Sequence, residues 1–338
     1  MTTIYLVRHA EAEGNLCRRI HGHFDTNITP NGMRQIADLK HRFENVHIDA
    51  CYSSDLTRTK TTAQAIYVPK GLRLQTNPAF REVYLGVWED IPFGYLYTRE
   101  AEAINAFCND PKQWHVENSE TFEAYTARFL RAMDEVVQRH PNESIAIVSH
   151  GAVLRGVLLA LFPELEIRHA DNTAVTCLTW ENGTYHLEYL NDNSHLQTGE
   201  SLFAKQTWWK QKNAGNDGTL WFWDGLLPME GLTPKTAEYT YTAMMGELPI
   251  GYVSVRTEKD CGIVEDMALL PAYRGRGFAI QLLGQAMFTV RAMGKAELRI
   301  QVPADHDAMK ALCKKLFFRE TGHGQLVLNL KVRVIPME

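Results

Sequence analysis

The sequence predicts an α/β protein of two domains, the first built on a mostly parallel sheet with helices on both faces. Three observations lead there. Over residues 4–161, short apolar runs with β-branched residues alternate with amphipathic helical stretches, the pattern of parallel strands joined by crossover helices. The chain has 338 residues, more than one core usually serves. A polar stretch beginning Asn191-Asp192-Asn193-Ser194-His195 interrupts the pattern. Beyond it strands follow one another without intervening helices. The expected layout is a first domain over 1–192, a linker with a junction helix over 193–218, and a mixed α+β domain over 219–338.

Residues 4–8 (Ile4-Tyr5-Leu6-Val7-Arg8) read as a buried parallel strand. Thr29 and Pro30 are the N-cap and first-turn proline of a helix whose apolar residues run to Phe43. A second strand is expected at 47–53 and a helix at 56–67, with Arg58 in its first turn. Phe122, Tyr125, Phe129, Met133 and Val136 recur at three- and four-residue spacing, so 123–139 is an amphipathic helix. Residues 144–149 form a strand and 152–161 the helix behind it. Asn182-Gly183 between 175–180 and 184–189 signals a type I′ hairpin.

Net charge is −5, too mild for nonspecific attachment to nucleic acid or an anionic membrane. No apolar stretch approaches a membrane span and no basic-then-apolar leader precedes the first strand. The six cysteines (Cys17, Cys51, Cys108, Cys177, Cys261, Cys313) contain no C-x-x-C pair. Reduced thiols in a cytoplasmic protein are the expectation, without zinc or disulfides. Nothing in the sequence sets the oligomeric state.

The first strand stops at Arg8-His9, leaving a guanidinium and an imidazole at the carboxyl edge of the sheet, where ligands of open α/β sheets sit. Alone, such a pair is more often structural. Further along lie Arg58 in Ser54-Asp55-Leu56-Thr57-Arg58, Glu82 in Arg81-Glu82-Val83, and His150 in Ser149-His150-Gly151. A phosphomonoester needs matching cations and donors. Arg8 and Arg58 have planar forks for phosphate oxygens, His150 adds a third donor, and Gly151 opens a helix N-terminus that favours an anion.

These motifs, in this order, resemble the histidine phosphatase family, which includes the cofactor-dependent phosphoglycerate mutases. The resemblance covers the first domain and implies a phosphoglycerate mutase-like α/β/α sandwich. It assigns His9 as a nucleophile that becomes phosphohistidine, Asn15 as a phosphate ligand beside Arg8, Arg58 and His150, and His150 as a member of the catalytic set. Arg81 to Glu89 resembles the family's E-x-x-x-G-x-W-E segment and makes Glu82 the general acid. His21-Gly22-His23-Phe24-Asp25 falls in the family's G-x-x-D region. His21 and His23 are read as loop residues rather than metal ligands, with no carboxylate at ligand spacing. Glu11 and Glu89 are read as rim or structural residues. A small phosphorylated substrate and metal-free hydrolysis are expected. A phosphoglycerate-type mutase stands as the alternative, less favoured because residues 83–148 look compact with one long helix.

In the second domain, residues 201–212 suggest a short helix carrying Phe203, Trp208 and Trp209. Strands are expected at 220–223, 238–245, 251–256 and 262–269, the last three in meander order. Pro271-Ala272-Tyr273-Arg274-Gly275-Arg276-Gly277-Phe278-Ala279 then leads into a long helix ending at Met293. A strand, a glycine turn and a helix start can direct backbone N–H groups at a pyrophosphate. Here the chain resembles the GNAT acetyltransferase family, whose [Q/R]-x-x-G-x-[G/A] pattern is filled by Arg274, Gly277 and Ala279. The resemblance implies acetyl-CoA as cofactor, held by Leu269, Arg274, Gly275, Arg276, Gly277, Phe278 and Ala279. Two departures accompany it. Aligning 297–302 as the fifth strand and Leu312, Lys315 and Phe318 with the family's closing segment puts His306 at its Asn, Phe317 at its Gly and Cys313 where it has a tyrosine acid. The two helices usual between the first two strands are missing. Glu265 and Asp266 are candidates for a base. An acetyltransferase and a non-catalytic CoA-binding or interaction module both remain open.

Overall fold

The computed structural model describes residues 1–197, 199–205 and 218–337. In chain order the first domain runs β1 (Thr2–Arg8), α1 (Glu13–Cys17), α2 (Pro30–Phe43), β2 (Ala50–Ser53), α3 (Thr57–Tyr67), β3 (Leu74–Thr76), α4 (Phe93–Arg99), α5 (Ala101–Asn109), α6 (Phe122–Arg139), β4 (Ser144–Ser149), α7 (Gly151–Leu161), β5 (Val175–Glu181) and β6 (Thr184–Asp192). The sheet order is β3-β2-β4-β1-β5-β6. The first four strands in that order are parallel, and β5 and β6 close the edge as an antiparallel hairpin. Asn182 and Gly183 both have positive φ, as a type I′ turn requires.

Strand alternation explains why both faces are covered. Ile4, Leu6, Ile145 and Ile147 point into one core with Phe129, Met133 and Val136 of α6 and Val153 and Val157 of α7. Val7, Ala146 and Val148 point into the other with Ile36 and Leu39 of α2 and Ala63 and Ile66 of α3. A strand buried on both sides has no polar face to spare. Thr29 caps α2, its hydroxyl accepting from Gly32 N–H at 3.0 Å, and Thr121 caps α6.

The chain from Val83 to Ser149 is less compact than the sequence suggests. It holds α4 and α5 besides α6. Neither has a side-chain N-cap, so the usual start signal is missing. They are held by packing: Leu96 and Ile104 are buried in the core beside Trp88. The strand expected at 47–53 is shorter, beginning at Ala50.

After α8 (Leu202–Lys205) in the linking stretch, the second domain runs β7 (Trp221–Asp224), β8 (Tyr239–Met245), β9 (Leu248–Thr257), β10 (Cys261–Leu269), α9 (Ala279–Ala292), β11 (Glu297–Gln301), α10 (Asp307–Cys313), β12 (Arg319–Gly322) and β13 (Gln325–Asn329). Of the helix expected over 201–212, Trp208 and Trp209 lie outside the described residues. The sheet order is β12-β13-β11-β10-β9-β8-β7, with β10 and β11 the parallel pair. Their pairing ends at Val264 and Ile300 while β10 runs on to Leu269, so the strands part at that end. No helix stands between β7 and β8, the abbreviation expected.

The domains are in contact. Gly284 of α9 lies on Cys17 of α1, and a Cβ there would stand 2.7 Å from the cysteine. Arg291 forks onto the Glu13 carboxylate at 2.9 and 3.2 Å. The tail returns to the first domain: Asn27 donates to the Lys331 carbonyl at 3.1 Å and Gln64 to that of Ile335 at 2.7 Å.

Candidate active site

β1, β4 and β2 are adjacent and in register, with Arg8 opposite Ser149 and Ser53 opposite Val148. The residues that follow each strand therefore emerge side by side. His9, His150 and Ser54 all sit at this edge, and the His9 and His150 rings are 5.2 Å apart. Arg8, His9, Asn15, Arg58, Glu82 and Gly151 line one cavity of about 140 Å³. Six residues from five separate segments thus line one cavity, and His150 is not among the residues that line it.

His9 is buried and its Nδ1 lies 2.7 Å from the Ala10 carbonyl. A carbonyl only accepts, so Nδ1 carries the hydrogen and Nε2 keeps a lone pair. Burial, then Arg58 and Arg8, hold the ring well below its ordinary pKa. Desolvation is the largest cause, ahead of the neighbouring cations.

Arg8 donates through Nη1 to the Ala170 carbonyl. Its Nε is buried without a partner among the described residues. A Cβ on Gly151 would stand 3.0 Å from that Nε, so glycine leaves room for the guanidinium over the start of α7. Arg58 is buried and spans from Gly22, whose carbonyl accepts from Nη2 at 2.6 Å, to Phe24, whose carbonyl accepts from Nη1 at 2.9 Å. Each terminal nitrogen keeps a second hydrogen. Asn15 turns its Oδ1 back to Ala12 N–H at 3.0 Å.

His150 differs from expectation. Arg58 Nε donates to its Nδ1 at 3.2 Å, and its Nε2 lies 2.8 Å from Ser54 Oγ. A guanidinium N–H can only donate. Nδ1 is therefore an acceptor, and the third donor the sequence suggested is turned to Ser54 instead.

Glu82 is buried at the N-terminus of α7. Oε1 accepts from Val153 N–H at 2.6 Å and Val83 N–H at 3.1 Å, and Oε2 from Ala152 N–H at 3.0 Å. Burial raises its pKa and the three N–H donors pull against that, with burial prevailing. Glu89 accepts from the N–H groups of Gly22, His23, Phe24 and Leu85. Glu11 accepts from Thr29 and Asn31 side chains. Both glutamates hold loops. His21 is 2.9 Å from Asp90 and packs edge-on against Phe288. Among the described residues no group of three histidines, cysteines or carboxylates is placed to hold a metal.

Sequence reasoning missed Asp171-Asn172-Thr173. Thr173 N–H donates to the Arg8 carbonyl at 3.1 Å and Asn172 Nδ2 to the His9 carbonyl at 2.9 Å. Thr173 is a β-branched residue at φ 59°, a strained position. The cluster of short polar residues before β5 was its only signal. Arg18, which also lines the cavity, was missed as well.

In the second domain, Gly275 and Gly277 have φ of 71° and 83° and face open space. Arg274 Nε ties the turn to the Leu269 carbonyl at 2.9 Å. α9 starts without a side-chain cap, leaving its first N–H groups without that partner. These features fit a pyrophosphate. The transfer groups fit less well. Cys313 is buried and its thiol is pushed up to about 12. Glu265 is paired with Lys235 at 2.6 Å and with Arg256, which holds its carboxyl low. Asp266 accepts from Tyr252 Oη at 2.5 Å.

Residues 4–193 match the histidine phosphatase superfamily (branch 1), and residues 203–318 the acetyltransferase (GNAT) family. A Yersinia pestis protein named "Probable phosphoglycerate mutase GpmB" is 34% identical over 160 residues, covering 47% of this chain and 74% of that one. Among solved structures, Bacillus stearothermophilus YhfR is similar at 29% identity and TM-score 0.55, covering 58% of this chain and all of its own. Alpha-ribazole phosphatase from Shigella flexneri is similar at 26% identity and TM-score 0.50, covering 56% of this chain and 96% of its own. Among the described residues no helix is long and apolar enough to cross a membrane.

Proposed function

Because this chain belongs to the histidine phosphatase superfamily, with a GNAT domain following, we propose that its first domain hydrolyses small phosphomonoesters through a phosphohistidine on His9, without a metal. The observation that carries this reading is the His9 Nδ1–H bond to Ala10, which leaves Nε2 an uncharged nucleophile inside a cluster of arginines. Nε2 attacks phosphorus in line with the departing oxygen. Arg8, Arg58 and Asn15 hold the three peripheral oxygens and take up their charge in the transition state. Glu82, uncharged at that moment, gives its proton to the leaving oxygen through Oε2, which accepts a single backbone N–H. Water then attacks the phosphohistidine with Glu82 as base, and phosphate leaves.

Release of inorganic phosphate from a panel of phosphomonoesters tests the reading. The wild type should turn over and His9→Ala should not; a fully active His9→Ala protein overturns it. One observation favours the mutase as second reading: Phe93 of α4 and Phe107 and Cys108 of α5, from the segment between Glu82 and Ser149, line the cavity. Phosphate transfer between two positions of phosphoglycerate, faster than phosphate release, would select that reading.

For the second domain we infer binding of acetyl-CoA, which supplies an activated acyl group. Backbone N–H groups from Arg276 to Ala279 would take its pyrophosphate, and the β10 edge near Leu269 its pantetheine arm. With Cys313 buried and Glu265 neutralised by two cations, binding without measurable amine acetylation is the expected result of calorimetric titration followed by an acceptor screen. No binding would sink the inference.

A further inference from the structure

α1 has five residues, far below the length of about 12 at which a helix begins to hold itself in water. It must therefore be held by what it packs on. It carries Asn15, and the chain just after it carries Arg19, Ile20 and His21, all of which line the candidate phosphate cavity. Part of the core beneath this segment belongs to the other domain. Cys17 is buried in the hydrophobic core of the second domain, and Leu16 and Phe24 pack against that core. One side of the first domain's site is thus supported from the second.

The support is α9. Its Val290 faces the second sheet, where a Cβ on Gly262 of β10 would stand 2.2 Å from it. Gly284, Phe288 and Arg291 recur at four- and three-residue spacing, so they share another face, and that face meets the first domain at Cys17, His21 and Glu13. Phe288 is buried at the centre of the contact. Its ring centre lies 5.4 Å from that of His21, with the planes 71° apart, and 6.1 Å from that of Phe24. The Arg19 guanidinium lies 4.8 Å from the same ring centre and donates to Gln285 Oε1 at 2.9 Å. One phenyl ring of the second domain is therefore set against three residues between 19 and 24. That same stretch fixes Arg58, because the Gly22 and Phe24 carbonyls accept from its Nη2 and Nη1 at 2.6 and 2.9 Å. Those two bonds set the plane of the fork offered to phosphate oxygens.

We propose that Phe288 is a positioning residue for the phosphatase reaction: it holds residues 19–24, and through the Gly22 and Phe24 carbonyls the Arg58 guanidinium, so that phosphate capture in the first domain depends on the second. This rests on the phosphatase reading of the His9 cavity. Phe288 touches no reacting atom. It acts by keeping a short, otherwise unsupported segment in the one place where Arg58 and Asn15 converge on the phosphoryl group, and small displacements of such groups are costly to rate.

Three variants of the full chain test this, assayed with p-nitrophenyl phosphate and with inorganic phosphate as inhibitor, well below each melting temperature. Phe288→Ala should lower kcat/KM about tenfold or more and weaken inhibition by phosphate by a similar factor. Phe288→Leu, which keeps most of the volume, should recover part of both losses. Val290→Ala thins the same helix on its other face, so it should lower the melting temperature and leave both kinetic readouts unchanged. If Phe288→Ala does not fold, Phe288→Leu carries the test, with a loss of about threefold expected. Phe288 variants that match the wild type in both readouts would overturn the proposal. So would an equal kinetic loss in Val290→Ala, which would make α9 a matter of stability alone. A wild type that neither turns over p-nitrophenyl phosphate nor binds inorganic phosphate would overturn the phosphatase reading and this proposal with it, a result distinct from an active wild type whose Phe288 variants are equally active.

Discussion

Arg58 and His150 are joined by an Nε–H donated to Nδ1 at 3.2 Å, so the guanidinium fixes the tautomer of the imidazole beside it. That leaves the His150 Nε2–H for Ser54 Oγ at 2.8 Å. One residue thereby sets the hydrogen-bonding state of another and also supplies charge to the phosphate. Arg58→Lys keeps a charge but loses the fork and the Nε donor. Its kcat/KM for phosphomonoesters should fall about 100- to 1,000-fold, with inhibition by inorganic phosphate weakened in parallel. Unchanged kinetics would show that Arg58 serves the fold alone.

Glu82 gives a leaving-group signature. p-Nitrophenolate departs without a proton, while a sugar alkoxide does not. Glu82→Gln should reduce turnover of an alkyl phosphate about 100- to 10,000-fold, with a much smaller loss on p-nitrophenyl phosphate. Equal losses on both substrates contradict the acid role. The basic limb of the pH–rate profile should also be missing from the variant, because the carboxyl that must stay protonated is gone.

Stability should depend on pH through the buried histidines. His169 is lowered from 6.5 to about 4 by burial. The unfolded chain therefore binds a proton between those values and the folded chain does not. Stability from keeping His169 neutral is complete above pH 6.5 and is lost as pH falls toward 4, about 3 kcal/mol at most. His9, His21 and His150 are lowered in the same direction and add to the fall. Urea midpoints between pH 4.5 and 7.5 measure it, and His169→Gln should flatten the slope. A slope unaffected by that change would place the acid sensitivity elsewhere.

The ion pair between Glu13 and Arg291 joins the domains at a site where the two side chains are only 5% and 13% exposed. Arg291→Leu leaves a buried carboxylate without its cation and should cost about 3–5 kcal/mol. The double variant Glu13→Gln with Arg291→Leu should cost less than the single change, because the stranded charge is gone. A larger loss in the double variant contradicts the pairing.

Much of this was legible in the sequence because charge and periodicity carried it. The strands at 4–8 and 144–149 end on Arg-His and Ser-His, and parallel pairing in register brings those ends together. The Asn182-Gly183 turn and the Thr29 cap were readable because few residues do those jobs. α4 and α5 were not, since they start without caps and depend on core contacts of Leu96 and Ile104. The closing strand β13 alternates Leu326 and Leu328 inward, a period-two signal masked by its shortness. Arg18 carried no motif that singled it out in Cys17-Arg18-Arg19. Only the fold reveals that it ends α1 in a left-handed turn and faces the cavity. The tautomer of His150 was also hidden, because it depends on a contact spanning 92 positions.

The central claim is that His9 Nε2 forms a covalent bond to phosphorus. Rapid acid-free quenching during turnover of a phosphate-labelled substrate, followed by peptide mapping, tests it most directly. Label that is lost in acid, kept in base and confined to the peptide bearing His9 is the predicted result. Steady turnover with no labelled histidine, or with the label on another residue, would contradict the account.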